Sequence, residues 1–267
     1  MEYEAIKAVR WSHLKHMRTS PKHYLHAVAT PFEPTPAMQI GTAAHALVLE
    51  PDVWDQRVVC YEGRRQGNAW KEFQAEHDGK IILTRPEYDR AKGTGEAVLE
   101  HPEASRYLGL GAKESAIVWT DPATGLKCKG KIDCWGRFVT DLKCTEVVET
   151  RRFGSHAAKM AYHAQCAWYQ WGLAENGIET EPEPIIVAAE SKKPHDVIVY
   201  RLPEAVVDVG RELFRRLLDQ LAECIERDEW HGVAPTEQLL DLPAWAYESD
   251  DEDMPALTMG GVVIGGI

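Results

Sequence analysis

Two carboxylates and a lysine fall close together in the stretch KGKIDCWGRFVTDLKCT, residues 129–145. Asp141 and Lys143 are two residues apart, so on a β-strand both side chains leave the same face. Asp133 lies on the preceding predicted strand, where a suitable hairpin register brings its carboxylate beside Asp141. Two ionised carboxylates in contact repel each other, and a divalent cation such as Mg²⁺ or Mn²⁺ removes that conflict. The stretch therefore indicates metal-assisted hydrolysis of a phosphodiester, with Lys143 offsetting developing negative charge.

The same three residues have a second interpretation, because short acidic and basic pairs are common on protein surfaces. In that interpretation Asp133 caps the turn, and Asp141 and Lys143 form an ion pair at a solvent-exposed strand end. The hairpin alone does not decide between the two, so the surrounding elements have to be considered.

The elements around the hairpin predict an α/β fold with a central mixed sheet flanked by helices. Residues 114–120, 126–135 and 138–144 have the pattern of three strands joined by short turns. A helix over 155–176, capped by Ser155, follows, and IIVAA at 185–189 is the next strand. Another strand at 197–202 and a long amphipathic helix complete the predicted core, whose order is αβββαβ.

The rest of the chain predicts N-terminal helices and a separate C-terminal tail. Helices in residues 1–50 are interrupted by a proline-rich loop at 30–36, and residues 60–80 are expected to be a loop with a short helix. We therefore expect one domain over 1–231, with its catalytic core at 81–230. The tail, 232–267, contains an acidic stretch.

Composition and charge restrict the partners without deciding among them. The chain has 267 residues, 44% of them hydrophobic, which is enough for a sizeable core. A formal charge of −12 argues against nucleic acid, but five acidic residues at positions 248 and 250–253 are clustered in the tail, and without them the charge is −7. Carboxylates that bind metal add further negative charge, so DNA remains a candidate.

Location and cysteine chemistry are also constrained. No stretch approaches the ~20 apolar residues of a membrane helix, and no secretory signal is recognisable, so we expect no membrane contact and a cytoplasmic protein of a bacterial or phage-infected host cell. The six cysteines include no CxxC pair, which argues against a zinc ribbon or an iron–sulfur cluster.

Several segments, in order, resemble the PD-(D/E)XK nuclease superfamily, and within it the RecE, or exonuclease VIII, branch of phage recombination exonucleases. The resemblance covers most of residues 11–203. It rests on the segments SHLKHMRTSPKHY, GTAAHALVLEP, ESAIVWTDPATGLKCKGKIDCW, DLKCT, YHAQCAWYQWGL and IIVAAESKKPHDVIVYRL. The superfamily has a restriction-endonuclease-like αβββαβ core, which agrees with the order predicted from the hydrophobic pattern.

The resemblance implies a metal site, with one or two Mg²⁺ ions or Mn²⁺ as a substitute. Its implied ligands are Asp133 and Asp141, the backbone carbonyl of Leu142, and His45 from the GTAAH box as a ligand or a group next to one. A lone histidine on a helix of small residues is otherwise a core residue. Glu114, at the start of the first core strand, is a further candidate ligand or an exposed strand-end charge.

The remaining implied roles concern catalysis. Lys143 is the catalytic lysine, and Gln165 and Tyr169, one helical turn apart, shape the site and contact phosphates. Without the resemblance, Tyr169 would be interpreted as a core aromatic residue. Cations for the DNA backbone would come from one of two clusters, although an ordinary solvated face is the default interpretation of each: Arg10, Lys15, Arg18 and Lys22, or Arg64, Arg65 and Lys71.

The activity implied is that of a metal-dependent DNA exonuclease acting on double-stranded DNA ends. It would degrade the 5′ strand and leave a 3′ overhang for recombination with a single-strand annealing protein, and a homo-oligomer is expected. Two alternatives stay open from the sequence: a structure-specific endonuclease or repair nuclease of the same superfamily, and a non-catalytic DNA-binding module.

Overall fold

The structure of the chain, a computed structural model, describes residues 3–234, 236–243, 258–259 and 262–263. Two compact units are present, Met1–Gly232 and Val233–Ile267. The helices of the first unit are α1 (Trp11–Leu14), α2 (Pro21–Ala29), α3 (Pro36–Leu49), α4 (Trp54–Arg57), α5 (Gly67–Glu76), α6 (Arg85–Glu100), α7 (Pro102–Gly109), α8 (Thr150–Met160), α9 (Tyr162–Glu175) and α10 (Glu204–Arg227). Its strands are β1 (Val9–Arg10), β2 (Val58–Tyr61), β3 (Ile81–Thr84), β4 (Ala112–Thr120), β5 (Lys127–Trp135), β6 (Val139–Thr145), β7 (Ile185–Glu190) and β8 (Val197–Arg201).

In the second unit, β9 (Thr258–Met259) and β10 (Val262–Val263) form an antiparallel pair. The predicted acidic stretch of the tail, at 248 and 250–253, lies outside the described residues.

Strand β5 is central to the main sheet, and its two edges are used differently. β4 pairs antiparallel along one edge. The other edge is divided, because β1 pairs with Cys128 and Lys129 while β6 pairs with Cys134 and Trp135. Residues 130–133 therefore face a gap between β1 and β6. Beyond β6 the sheet continues with β7, which is parallel, and β8, which is antiparallel.

Helices cover both faces of this sheet, so the predicted α/β fold with a central mixed sheet is confirmed. On one face, Trp168 of α9 is fully buried against Trp119 of β4 and Phe214 of α10. Its indole N–H donates to the Lys129 carbonyl, 3.1 Å away, so the polar atom of this large side chain is satisfied. On the other face, α3 and α6 bury apolar side chains against β6 and β7, including Leu142.

The prediction of one helix over 155–176 is wrong. The chain forms two helices, α8 and α9, separated by Ala161, whose φ of 56° is left-handed and ends the first helix. α8 also begins before Ser155, at Thr150, because the Glu149 side chain accepts hydrogen bonds from two backbone N–H groups of its first turn. A mostly exposed helix therefore precedes α9, whose side chains are mostly buried.

Two short strands of the first unit, β1 and β2, were not predicted. The region 60–80 contains the expected short helix, α5, but β2 precedes it and pairs parallel with β3. β1 lies in a segment predicted to be helical and pairs parallel with β5. Strands of two to four residues carry too little hydrophobic periodicity to be recognised, since their partners supply most of their stability.

Among the described residues, no helix combines the length and the apolar character needed to cross a lipid bilayer.

Candidate active site

The gap in the edge of β5 ends at Asp133, whose side chain connects β5 to β6 beyond their last backbone pair. Its Oδ2 accepts a hydrogen bond from the backbone N–H of Leu142 on β6, at 2.8 Å. A side-chain carboxylate thus takes the place of the backbone acceptor that a continued β5–β6 ladder would supply. The Leu142 side chain is fully buried in the apolar layer under α3, so only the backbone of this residue faces the gap.

Three carboxylates lie at equivalent positions across β4, β5 and β6. The residues on either side of Glu114 pair with those on either side of Asp133, so these two acids are opposite each other. One step beyond the last β5–β6 pair, Asp133 lies opposite Asp141. The register that the sequence analysis required for Asp133 and Asp141 is therefore present, and Glu114 extends the row to a third strand.

Glu114 is held in a strained backbone conformation. Its φ of 49° is left-handed, a region that costs an L-residue about 1–2 kcal/mol. The carboxylate forms an ion pair with Lys131 of β5. Strain of this kind persists where the surrounding structure enforces it, and it is concentrated at functional sites.

Asp141 and Lys143 form a buried ion pair on one face of β6. Lys143 Nζ lies 2.5 Å from Asp141 Oδ2, and the Asp141 side chain is only 1% exposed. Neither Asp141 oxygen receives a hydrogen bond of normal geometry. The Lys143 ammonium also lies 4.8 Å from the centre of the Tyr162 ring on α9. The interpretation of Asp141 and Lys143 as a solvent-facing pair is therefore wrong.

His45 approaches the row of carboxylates from helix α3. Small residues let this helix lie close to β6: a Cβ added to Gly41 would be 3.6 Å from the Cβ of Cys144. The imidazole Nδ1 of His45 is 3.8 Å from Asp133 Oδ2. The histidine therefore faces the acidic cluster and is not part of the apolar core.

The pKa values of the cluster reflect burial and one shared lysine. Burial raises the pKa of Asp133 and of Asp141 to about 6 each, against the opposing effect of Lys143. Burial by itself lowers the pKa of Lys143, but the two aspartates outweigh it and raise that pKa well above its usual value. Burial, and next the charge of Lys143, lower the pKa of His45 to about 4. At neutral pH His45 is uncharged and Lys143 is an ammonium ion.

The charges of the cluster do not balance. In the part of the chain that the structure describes, Glu114, Asp133 and Asp141, when ionised, have two ammonium groups as partners, those of Lys131 and Lys143. One net negative charge therefore remains in a largely buried place, where it is costly. A divalent cation together with one phosphodiester group adds one positive charge and neutralises the cluster.

A cavity of about 510 Å³ gives access to these groups. It is lined by five of the predicted site residues, and Asp141 lies buried against one of them, Lys143. The five are His45, Glu114, Asp133, Leu142 and Lys143. A larger cavity, about 760 Å³, contains none of the predicted site residues and is lined mainly by apolar groups such as Trp171 and Phe214.

Gln165 and Tyr169 line a separate, smaller pocket of about 100 Å³. The Gln165 side-chain amide donates to the Tyr169 hydroxyl at 2.9 Å. Lys131 lines both this pocket and the larger cavity, so the two are neighbours. The structure therefore places Gln165 and Tyr169 beside the acidic cluster but not within it.

Two lysines of these pockets, Lys129 and Lys131, were not predicted from the sequence, whereas Lys15 was predicted as one of the candidate cations for the DNA backbone. Lys15, Lys129 and Lys131 all line the small pocket. Lys129 is 4% exposed, and its Nζ donates to the Tyr3 carbonyl at 2.9 Å. A signal was present, because Lys129, Lys131 and Asp133 alternate along β5. The sequence predicted Lys15, on a 3-10 turn far away in the sequence, as a cation for the DNA backbone but not its place in this pocket.

The donor set suits a hard divalent cation, although no preformed cage exists. Among the residues that the structure describes, no three His, Cys, Asp or Glu side chains converge as a metal site. Two carboxylates, those of Glu114 and Asp133, and a neutral imidazole nevertheless border the cavity, and neither oxygen of the buried Asp141 receives a hydrogen bond of normal geometry. Oxygen ligands with one imidazole fit Mg²⁺ or Mn²⁺. These residues fit such an ion if Lys143 yields part of its contact with Asp141.

Comparison with known proteins agrees with this fold. Residues 11–238 match the family described as PDDEXK-like domain of unknown function (DUF3799). The chain belongs to this family. No curated protein matches it in sequence. The crystal structure of a putative exonuclease from Eubacterium rectale is similar to this PDDEXK-like chain, with a TM-score of 0.65 and 15% sequence identity, over 91% of this chain and 92% of the other. At that identity the likeness shows the fold alone.

Proposed function

We propose that this PDDEXK-like protein is a divalent-metal-dependent DNA nuclease. The observation that carries the proposal is the row of Glu114, Asp133 and Asp141 across three adjacent strands, with Lys143 against Asp141 and the remaining groups open to one cavity. A purely structural role does not explain this row, because the ionised carboxylates leave an unbalanced charge in a largely buried place. Binding of a cation and a phosphate group relieves that imbalance.

In the proposed site Asp133, Asp141 and His45 hold the cation, with Glu114 and the Leu142 carbonyl as further ligands. Bound Mg²⁺ would lower the pKa of water and offset negative charge on phosphate oxygens. The low pKa of His45 keeps its imidazole neutral, which a ligand nitrogen requires.

Lys143 acts as a fixed positive charge in this proposal. Its raised pKa makes it a poor general base at neutral pH, so its contribution is to offset the charge that develops on phosphoryl oxygens. Asp141 holds the ammonium in position through the buried ion pair. Gln165 and Tyr169 provide an amide and a hydroxyl for hydrogen bonds to a neighbouring phosphate, and Lys131 lies between the two pockets.

We further propose that the activity is that of an exonuclease on duplex DNA ends, of the RecE-like branch, which removes the 5′ strand. This rests on the GTAAH and YHAQCAWYQWGL segments, which contribute His45 and Gln165 to the two pockets. A single-strand annealing partner and a homo-oligomer stay predictions.

The decisive experiment is a nuclease assay on blunt, recessed and circular DNA, each labelled at a known end, with and without Mg²⁺. We expect release of mononucleotides from 5′ ends of linear duplex only when Mg²⁺ is present. Cleavage of circular DNA would identify an endonuclease, and release from 3′ ends alone would overturn the proposed polarity.

Asp141→Asn and a matched control distinguish loss of the active site from loss of the folded structure. Asp141→Asn should abolish cleavage, whereas Asp208→Asn, which removes an exposed carboxylate paired with Arg211, should leave cleavage unchanged. If wild-type protein cleaves no DNA substrate with Mg²⁺ or Mn²⁺ while remaining folded, the nuclease proposal fails.

A further inference from the structure

Two long stretches of this acidic chain contain no acidic residue. One runs from 5 to 32 and the other from 150 to 174. The whole chain has 42 Asp and Glu residues in 267, so on average one would occur every six or seven positions. The first stretch has five Lys or Arg residues and the second has three. Both stretches are therefore strongly cationic within a chain of net charge −12.

The two stretches contact each other in the fold. Arg18, at the end of a 3-10 turn after α1, donates from Nη1 to the backbone carbonyl of Lys159 on α8, at 2.9 Å. The positive charge of Arg18 also contributes, after burial, to lowering the pKa of His163 on α9. Two cationic segments far apart in sequence thus form one surface.

This surface reaches the candidate active site through Lys15. Lys15 lines the small pocket together with Gln165 and Tyr169, next to the acidic cluster. Burial lowers its pKa, and the charges of Lys143 and Arg18 lower it further, so Lys15 is close enough to both of these cations to feel their charge. We call Lys15, Arg18 and Lys159 the cationic face.

Cations of this face lack acidic partners, unlike most arginines elsewhere. Among the residues that the structure describes, no carboxylate forms an ion pair with Lys15, Arg18 or Lys159. By contrast Arg65, from the second cluster suggested by the sequence, is bound by Glu87 with Nη2 2.6 Å from Oε2. Exposed arginines neutralised by carboxylates on the same protein have little charge left for phosphates.

We propose that the cationic face binds the sugar–phosphate backbone of duplex DNA and guides one strand to the acidic cluster. This inference rests on the proposed nuclease function and adds to it the surface that carries the substrate. Lysine and arginine side chains without acidic partners, next to a site that hydrolyses phosphodiesters, match the spaced negative charges of the duplex.

Binding of a fluorescently labelled blunt duplex to the full-length protein, measured in EDTA over a range of salt concentrations, tests this assignment. Each phosphate contact contributes about −0.9 to the slope of log K against log salt concentration. Lys159→Ala and Arg18→Ala should each reduce the slope by about one and weaken binding roughly tenfold near 0.1 M salt. Arg18→Lys, which keeps the charge, should retain the wild-type slope.

Lys159→Ala leaves the Lys159 carbonyl that Arg18 contacts, so it tests the face even if Arg18→Ala unfolds the protein. The matched control, Arg106→Ala with Arg137→Ala, removes two exposed arginines that are paired with Glu103 and Glu181. We expect that control to keep the wild-type slope. Wild-type slopes for the Lys159 variant, or equal losses in the control, would overturn the assignment of this face.

The same measurements distinguish the two proposals. If wild-type protein cleaves and binds duplex DNA but Lys159→Ala binds equally well, only the cationic face is wrong. If wild-type protein neither binds nor cleaves duplex DNA, the proposed function fails and this inference fails with it.

Discussion

Replacing Asp141 by Asn should stabilise the metal-free protein at neutral pH. Burial raises the pKa of Asp141 from 3.8 to about 6, so the folded protein holds this proton more tightly than the unfolded chain does. The contribution of Asp141 to the free energy of unfolding must therefore fall as pH rises from about 4 to about 6. A difference of about two pKa units corresponds to about 3 kcal/mol.

The gain in the free energy of unfolding caused by Asp141→Asn is expected to be smaller than this value of about 3 kcal/mol. Lys143 loses one partner in Asp141→Asn but keeps Asp133, and the cluster loses its excess negative charge. We expect the variant to be about 1–2 kcal/mol more stable than wild type near pH 7, and the difference to vanish or reverse near pH 4. Urea unfolding in EDTA at both pH values measures this difference. Adding Mg²⁺ should stabilise wild-type protein more than the variant.

Asp121 provides a matched control of opposite sign. It is as buried as Asp141, but hydrogen bonds from Arg215 and Thr124 outweigh the effect of burial and lower its pKa. Asp121→Asn should therefore destabilise the protein near pH 7, by about 2 kcal/mol, and less as the pH falls through the folded-state pKa. If Asp141→Asn instead destabilised the metal-free protein near pH 7 as Asp121→Asn does, the assignment of Asp141 as a carboxylate whose burial destabilises the metal-free protein would be refuted.

Three further outcomes are expected from the site geometry. Lys143→Ala should lower kcat by a factor of about 10²–10³, which is the usual effect of removing a group that offsets transition-state charge. The Mn²⁺ affinity, measured by calorimetry, should not fall. An unchanged kcat would contradict this role of Lys143. Glu114→Gly should be about 1 kcal/mol more stable than Glu114→Ala in thermal unfolding, because only glycine adopts a φ of 49° without strain, and equal stability would show that the backbone relaxes. Gly130→Ala should weaken DNA cleavage, because the added Cβ would lie 3.1 Å from the Tyr169 ring and displace that ring. Cleavage at the wild-type rate would contradict a role of Tyr169 in the site.

Much of the architecture was predictable because it depends on local patterns. Alternation along β5 and β6 identified the strands, and the two-residue spacing of Asp141 and Lys143 placed both on one face. The break at Ala161 could not be predicted in this way, because alanine favours helices and only packing imposes its left-handed conformation. The strand β1 likewise depends on β5, which lies more than a hundred residues further along the chain.

The sequence by itself determined the αβββαβ order, the carboxylates that meet at one hairpin and their lysine, since these follow from side-chain periodicity and short connections. Only the tertiary structure decided that β1 and β6 share one edge of β5 and leave the gap at Asp133. It also decided that Glu114 joins the row, and that Lys15 reaches the small pocket beside it. The physical reason is that register and helix placement minimise the free energy of the whole core, so residues far apart in sequence come together through contacts that no local pattern contains.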